Sequence, residues 1–148
     1  MEVFYHGTCR LFETFDPSKL GSGEGKSKFG HGIYITPSYE TAALYASKAA
    51  KNNGVDTVYV YTIEVPELTE ENHIFSCKPV NPKVAAVVES ALGETIPSEA
   101  KEAGKFFRKY VGNVLIKNRG TVKQMIGKAS HEAEDKVSEF LSKNGFVY

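Results

Sequence analysis

The feature that most constrains this chain is a switch of hydrophobic period near Pro66. Upstream, apolar residues fall in short β-branched and aromatic runs around one helical stretch; downstream they recur mainly at three- and four-residue spacing. A period of two lines one face of a strand and a period of 3.6 lines one face of a helix, so the halves demand different elements. Strands gathered in one half and helices in the other define an α+β fold.

In the first half, Val3, Phe4 and Tyr5 form a short strand, with His6-Gly7-Thr8 at its end. Leu20-Gly-Ser-Gly-Glu-Gly25 has the composition of a flexible loop. Gly32-Ile-Tyr-Ile35 reads as a second strand, and Thr36-Pro37 as an N-cap followed by proline at the first helical position. In the helix that follows, Tyr39, Ala42, Ala43, Ala46, Ala49 and Ala50 make a stripe of mostly small residues, which lets it lie close against a sheet. Asn53-Gly54 ends it. Thr57 to Ile63 is β-branched and aromatic on both faces, as expected of a central strand covered on both sides.

The second half predicts one helix from Asn81-Pro82 to Gly93, with Val84, Val87, Val88 and Ala91 inward. A second follows Pro97-Ser98 with Ala100, Ala103, Phe107, Tyr110 and Val111 inward. A third runs to Asn144-Gly145 on Ala133, Val137, Phe140 and Leu141. The stretch from Asn113 to Met125 fits no single element, and Phe146-Val147-Tyr148 looks like the opening of another strand. A length of 148 residues is that of one domain, 1–148, able to bury a core without disulfide or metal staples.

Eighteen basic side chains balance eighteen acidic ones, so no summed positive field draws the chain onto nucleic acid or an anionic membrane. Cys9 and Cys77 match neither a paired-ligand zinc pattern nor a disulfide framework, and read as reduced thiols. The N-terminus MEVFYHGT has no basic region before an apolar run, and no segment reaches membrane-spanning length. The expected location is cytoplasmic, or inside a target cell after delivery by a machine that reads a fusion partner.

Two motifs fail on inspection. Gly25-Lys26-Ser27 suggests a phosphate-binding loop, but that motif needs a glycine five residues before Gly25 and position 20 is Leu20. His131-Glu132-Ala-Glu-Asp135 suggests a zinc helix, but Asp135 stands where the second histidine belongs, so no metal is expected. This segment reads instead as an acidic, solvent-facing helix surface. What does stand out is a set: Tyr5-His-Gly-Thr8 ending one strand, Phe29-Gly-His-Gly-Ile-Tyr-Ile35 forming the next, and Tyr45 eleven residues past Tyr34.

With these residues the sequence resembles the ADP-ribosyltransferases of the diphtheria-toxin and poly(ADP-ribose) polymerase branch, whose site is named for a histidine, a tyrosine and an acid on separate strands. The resemblance covers about Val3 to Val65 and is similar in wording to bacterial and phage members at Phe15-Asp-Pro-Ser-Lys19 and Gly-Glu-Gly25. It implies a split antiparallel β-sheet core with a helical C-terminal half, and NAD as donor of ADP-ribose with no metal. His6 and Tyr34 would be catalytic, and His6 would bond the adenosine ribose. The backbone of Gly7 would pair with the nicotinamide carboxamide, Thr8 and Gly32 would lie beside the cofactor, and Tyr34 and Tyr45 would sandwich the nicotinamide ring. Ala42 stands where members often carry a serine that bonds the carboxamide. The reaction implied breaks the bond between nicotinamide and ribose through an oxocarbenium-like state.

The third motif, Glu-x-x-hydrophobic-x on a late strand, is missing, and the catalytic acid is unassigned. Glu64, Glu132, Glu134 and Asp135 lack its context. The chain is then a fragment of a longer protein, a degenerate domain, or an enzyme with its acid elsewhere. The function implied is mono-ADP-ribosylation of a macromolecular acceptor by a toxin, effector or host modifier. An inactive or truncated NAD-binding or interaction module and an NAD hydrolase are the alternatives. Neutral net charge favours a protein acceptor over nucleic acid; the local basic cluster of Lys101, Lys105, Arg108 and Lys109 reads first as a solvated helix face, and second as a surface that could serve an RNA or DNA strand. A toxin of this type would travel with a neutralising antitoxin or immunity protein.

Overall fold

The computed structural model describes residues 2–11 and 34–146. The chain divides into two compact units, Met1–Glu67 and Leu68–Tyr148. The first holds strand β1 (Glu2–Thr8), helix α1 (Tyr39–Asn53) and strand β2 (Tyr59–Val65); the second holds α2 (Pro82–Leu92), α3 (Ser98–Lys101), α4 (Gly104–Leu115), α5 (Val122–Gly127) and α6 (His131–Lys143). The strand-then-helix order is that of the α+β class expected from the period switch.

In the first unit β1 and β2 pair antiparallel, from Glu2 opposite Val65 to Thr8 opposite Tyr59. β1 thus runs beyond Val3-Phe4-Tyr5 and ends on His6-Gly7-Thr8, whose three residues are still paired, opposite Tyr61, Val60 and Tyr59. Among the described residues β2 pairs with β1, and Thr62 and Glu64 are exposed, so the two-sided cover expected for a central strand is not seen there. Tyr34 and Ile35 also lie outside any regular strand; the segment meets β1 through one bridge, Tyr5 to Thr36, with N–H···O distances of 2.7 and 2.9 Å.

That bridge explains why α1 begins later than Thr36-Pro37 predicts. Thr36 spends its carbonyl on the Tyr5 N–H, whereas the Ser38 carbonyl accepts the first helical bond, from Ala42 N–H at 3.1 Å. The Thr36 hydroxyl accepts from Ser38 N–H (3.2 Å), and Ser38 becomes the N-cap, accepting from Thr41 N–H at 3.1 Å. Gly54, at φ 65°, closes the far end, where a side chain would be strained. Ala42, Ala46, Ala49 and Ala50 are buried, as the stripe predicts, while Tyr39 turns out to the helix edge and stacks edge-on against Tyr5 at 5.6 Å.

The second unit packs around Phe107, Val111, Val88, Val137 and Leu141, all fully buried. On α2 the inward face is Val84, Ala85 and Val88; Val87 and Ala91 are exposed. Spacing alone cannot separate these stripes, because both contain the Val84–Val88 pair. The single helix expected after Pro97-Ser98 is two. Ala103 is extended (φ −151°, ψ 142°), and the first turn of α4 donates instead to the preceding loop, Gly104 N–H to Lys78 C=O (2.9 Å) and Lys105 N–H to Ser76 C=O (3.0 Å). A side chain at Gly104 would run into the Phe75 carbonyl, which is why the loop can lie so close. All five predicted inward residues are nevertheless buried.

The stretch that fitted no single element contains the end of α4 and the start of α5, whose Thr121 and Gln124 form a capping box. At the C-terminus Phe146 does not open a strand. Its N–H donates to Leu141 C=O (3.0 Å) while Gly145, at φ 86°, donates to Ser142 C=O (3.1 Å), the double closure that ends a helix. Val147 and Tyr148 lie outside the described residues, as do Gly32, the Leu20–Gly25 loop and Gly25-Lys26-Ser27. Among the described residues no helix is long and apolar enough to cross a membrane, and Cys9 and Cys77 are both free thiols.

Two predictions follow from this packing. Asn113 is 1% exposed and its amide donates to the Met125 and Lys128 carbonyls, each at 2.9 Å, tying the α5 end to α4. Asn113→Ala strips both carbonyls of a donor and should lower stability by about 2 kcal/mol, read from urea denaturation. Glu134 on α6 has its carboxyl pushed above the ordinary glutamate range by burial, an effect that nearby Arg108 and Lys109 oppose. The folded state therefore holds its proton more tightly than the unfolded one. This stabilisation is fully present below the ordinary glutamate value and is lost as pH rises through the folded value. Relative to Glu134→Gln, the wild type should lose stability as pH is raised from about 4 to 7, measured as the difference in denaturation midpoint.

Candidate functional site

The expected site residues that the structure describes all fall in the first unit, and the geometry sorts them by sheet face. Side chains alternate along a strand, so Tyr5 and Gly7 share one face of β1 and His6 and Thr8 the other. The Tyr5–Tyr39 contact marks the first as the face against α1. There Gly7 meets Ala42: a methyl at position 7 would overlap the Ala42 carbonyl and come within 3.0 Å of the Ala46 amide nitrogen. Gly7 is thus required by the helix, whatever it does for a ligand. Ala42, 1% exposed, is taken up in the same contact.

On the other face His6 stands opposite Tyr61. Its Nδ1 lies 2.8 Å from the backbone oxygen of Tyr34. A carbonyl can only accept, so Nδ1 carries the proton, and in the neutral ring Nε2 is the acceptor. This contact joins the first and second expected motifs. It also coincides with a divergence of the chain. Continued from the Tyr5–Thr36 bridge, the antiparallel register would set Gly7 opposite Tyr34, but the bridge is isolated and the Tyr34 oxygen turns to His6. Backbone groups alternate between the two edges of a strand. Since Tyr5 uses its N–H and C=O on the Thr36 edge, those of Gly7 point to that edge too.

Tyr34 and Tyr45 are 40% and 45% exposed, so both offer ring surface. The Lys48 ammonium sits 5.9 Å from the centre of the Tyr45 ring, one turn further along α1. Thr8 Oγ1 accepts from Arg10 N–H (3.2 Å), which leaves its own proton to donate. Gly32 falls outside the described residues. Among the carboxylates, Glu64 pairs with Val3 and so lies on the α1 face, opposite to His6. Glu132, Glu134 and Asp135 belong to α6 in the second unit. The earlier picture of an acidic surface exposed throughout is corrected there: Glu134 and Asp135 are part-buried, because α6 turns Ala133 and Val137 into the core beside them.

Two neighbours of the site escaped sequence reading, Tyr61 beside His6 and Lys48 above Tyr45. Aligning the two seven-residue strand runs antiparallel gives the first; the three-residue spacing from Tyr45 gives the second.

Compared with protein families, residues 1–138 match the family described as ADP-ribosyltransferase in polyvalent proteins. The chain belongs to this family. Its match extends past β2 through the helical half into α6, well beyond the stretch that carries the recognisable motifs. Neither the curated proteins nor the solved structures yield a match.

One consequence tests the helix contact directly. Gly7→Ala should destabilise the first unit by about 3 kcal/mol, the upper end for overpacking, because the obstruction is backbone rather than a movable side chain. Urea denaturation followed by tyrosine fluorescence reads it; an unchanged midpoint would refute the close approach.

Proposed function

We propose that the first unit binds NAD at the Gly7 edge of β1 and that the chain transfers ADP-ribose to a macromolecular acceptor. Family membership supports the reaction class, and NAD is the general donor of such enzymes. The observation that carries the site is the contact of His6 Nδ1 with the Tyr34 oxygen, with the Gly7 backbone turned to the same edge.

The donor set fits the ligand. A carboxamide needs one donor for its oxygen and one acceptor for its NH2, and a single residue's N–H and C=O supply both. His6, held by Nδ1 on the Tyr34 oxygen, is the side chain assigned to the ribose. Tyr34 and Tyr45 present ring faces to the flat nicotinamide, each contributing about 0.5–1.5 kcal/mol beyond area burial. When the C1′–N bond breaks, its electron pair goes to the nicotinamide nitrogen, which leaves neutral. The oxocarbenium-like sugar is then captured by a nucleophile of the acceptor, which gives up its proton. Fixing the leaving group and the ribose favours this path by holding the reacting geometry. Use as a toxin or effector, with a neutralising partner, belongs to the same reading.

A second reading, NAD binding without transfer, is favoured by one observation: Glu64, the carboxylate nearest the site along β2, lies on the sheet face away from His6. Incubation of the chain with cell extract and NAD labelled on its adenylate half separates the possibilities. Nicotinamide release with labelled macromolecules supports transfer, release without label indicates hydrolysis, and binding without release indicates the binding module. Tyr34→Ala should weaken NAD binding roughly tenfold, the loss of one stacking face. Unchanged binding would remove Tyr34 from the site.

A further inference from the structure

The two units differ in charge although the whole is neutral. Leu68–Tyr148 contains twelve basic and ten acidic residues, and within it seven basic residues and no acidic one fall between Ala103 and His131. The structure gathers part of this excess on one surface. Lys105, Arg108 and Lys109 stand at i, i+3 and i+4 on α4 and so share a face. The loop that docks on the first turn of α4 adds Lys78, because Gly104 N–H bonds the Lys78 carbonyl and Arg108 bonds the Ser76 hydroxyl.

Aromatic rings are interleaved with these cations. The Lys78 ammonium lies 4.9 Å from the centre of the Phe75 ring and that of Lys105 lies 5.5 Å from Phe106. Both phenylalanines are half-buried, so each keeps part of its surface open to solvent. Lys101, by contrast, is engaged with Glu89 at 2.7 Å, and Glu134 faces Arg108 and Lys109 from α6.

From this pattern we infer that the Lys78–Phe75 loop and the Lys105–Lys109 face of α4 form a docking surface for a single-stranded nucleic acid, RNA or DNA. Clustered cations answer the phosphates, and ring faces beside them answer the bases, the combination on which single strands are held. An acidic protein would use the cations but not the rings. An anionic membrane would need an apolar wedge, and among the described residues of this unit Val87 on α2 is the exposed large apolar side chain.

The test is fluorescence anisotropy of a labelled mixed-sequence 12-nucleotide RNA titrated with the full chain, without NAD, so that it is independent of the transferase reading. Four phosphate contacts predict a salt slope near −2.8, or about 50-fold weaker binding at 200 mM than at 50 mM salt, and Lys105→Gln with Lys109→Gln should halve that slope. Phe106→Leu keeps the packing volume but removes the stacking face, and should weaken binding roughly fivefold or more. Circular dichroism verifies that the variants are folded. The proposal is overturned by absence of binding at 50 mM salt, by an unchanged slope in the double variant, or by an unchanged affinity in Phe106→Leu. Equal binding of polyglutamate, or of phosphatidylserine vesicles, in competition with the RNA would overturn it in favour of an acidic protein or a membrane.

Discussion

The first unit depends on the absence of one methyl group. Where β1 crosses α1, the space a side chain at position 7 would occupy is filled by the carbonyl of Ala42. That contact sets the height of the helix above the sheet, and the height in turn dictates small residues at Ala42, Ala46, Ala49 and Ala50. Alanine methyls contribute little area, about 0.8 kcal/mol per buried carbon, so the helix is held by proximity of many light contacts more than by any large anchor. Its start is fixed separately, by the Tyr5–Thr36 bridge and the Ser38 cap two residues on. Strand, bridge, cap and helix form a closed circuit, and Tyr34 lies just outside it, with its oxygen on His6. Glycine at position 7 thus has a packing reason complete in itself, and the backbone edge toward Tyr34, where we place the proposed NAD site, is a by-product of it.

Much of this was legible in the sequence because it rests on local chemistry. The alanine stripe, Asn53-Gly54, Asn81-Pro82 and Gly93 all mark what they seem to mark, since caps and left-handed closures are decided within a few residues. The start of α1 was not legible for the opposite reason. Thr36-Pro37 is a sound N-terminal signal locally, and it is overridden by a bridge to a residue thirty-one positions earlier. The break between α3 and α4 follows the same logic. Ala100 to Val111 keeps an unbroken helical period, but the loop at Phe75 to Lys78 takes the amide protons of Gly104 and Lys105, and Ala103 is extended to let it in.

Of the candidate site, the sequence supplied the members and the structure supplied their sides. His6, Gly7 and Thr8 are adjacent in the chain, yet alternation sends Gly7 toward α1 and its neighbours away from it. A role for Gly7 built on its missing side chain and one built on its backbone are therefore different claims, and the contact with Ala42 satisfies the first without touching the second. The same alternation separates Glu64 from His6 across the sheet, a relation that no reading of spacing within one strand could give, because it depends on the pairing of Val3 with Glu64.

Net charge was the least informative quantity. A sum of zero suggests indifference to polyanions, but charges interact over a Debye length of about 8 Å at physiological salt, far less than the span of the molecule. What a ligand meets is the local density: between Ala103 and His131 every charged side chain is basic, with Arg119 paired to Glu94 and with Arg108 and Lys109 facing Glu134. The acidic residues that restore neutrality lie elsewhere in the sequence, many on α6 beginning at Glu132, where Glu134 is part-buried and its charge disfavoured by the same burial that packs Ala133 and Val137.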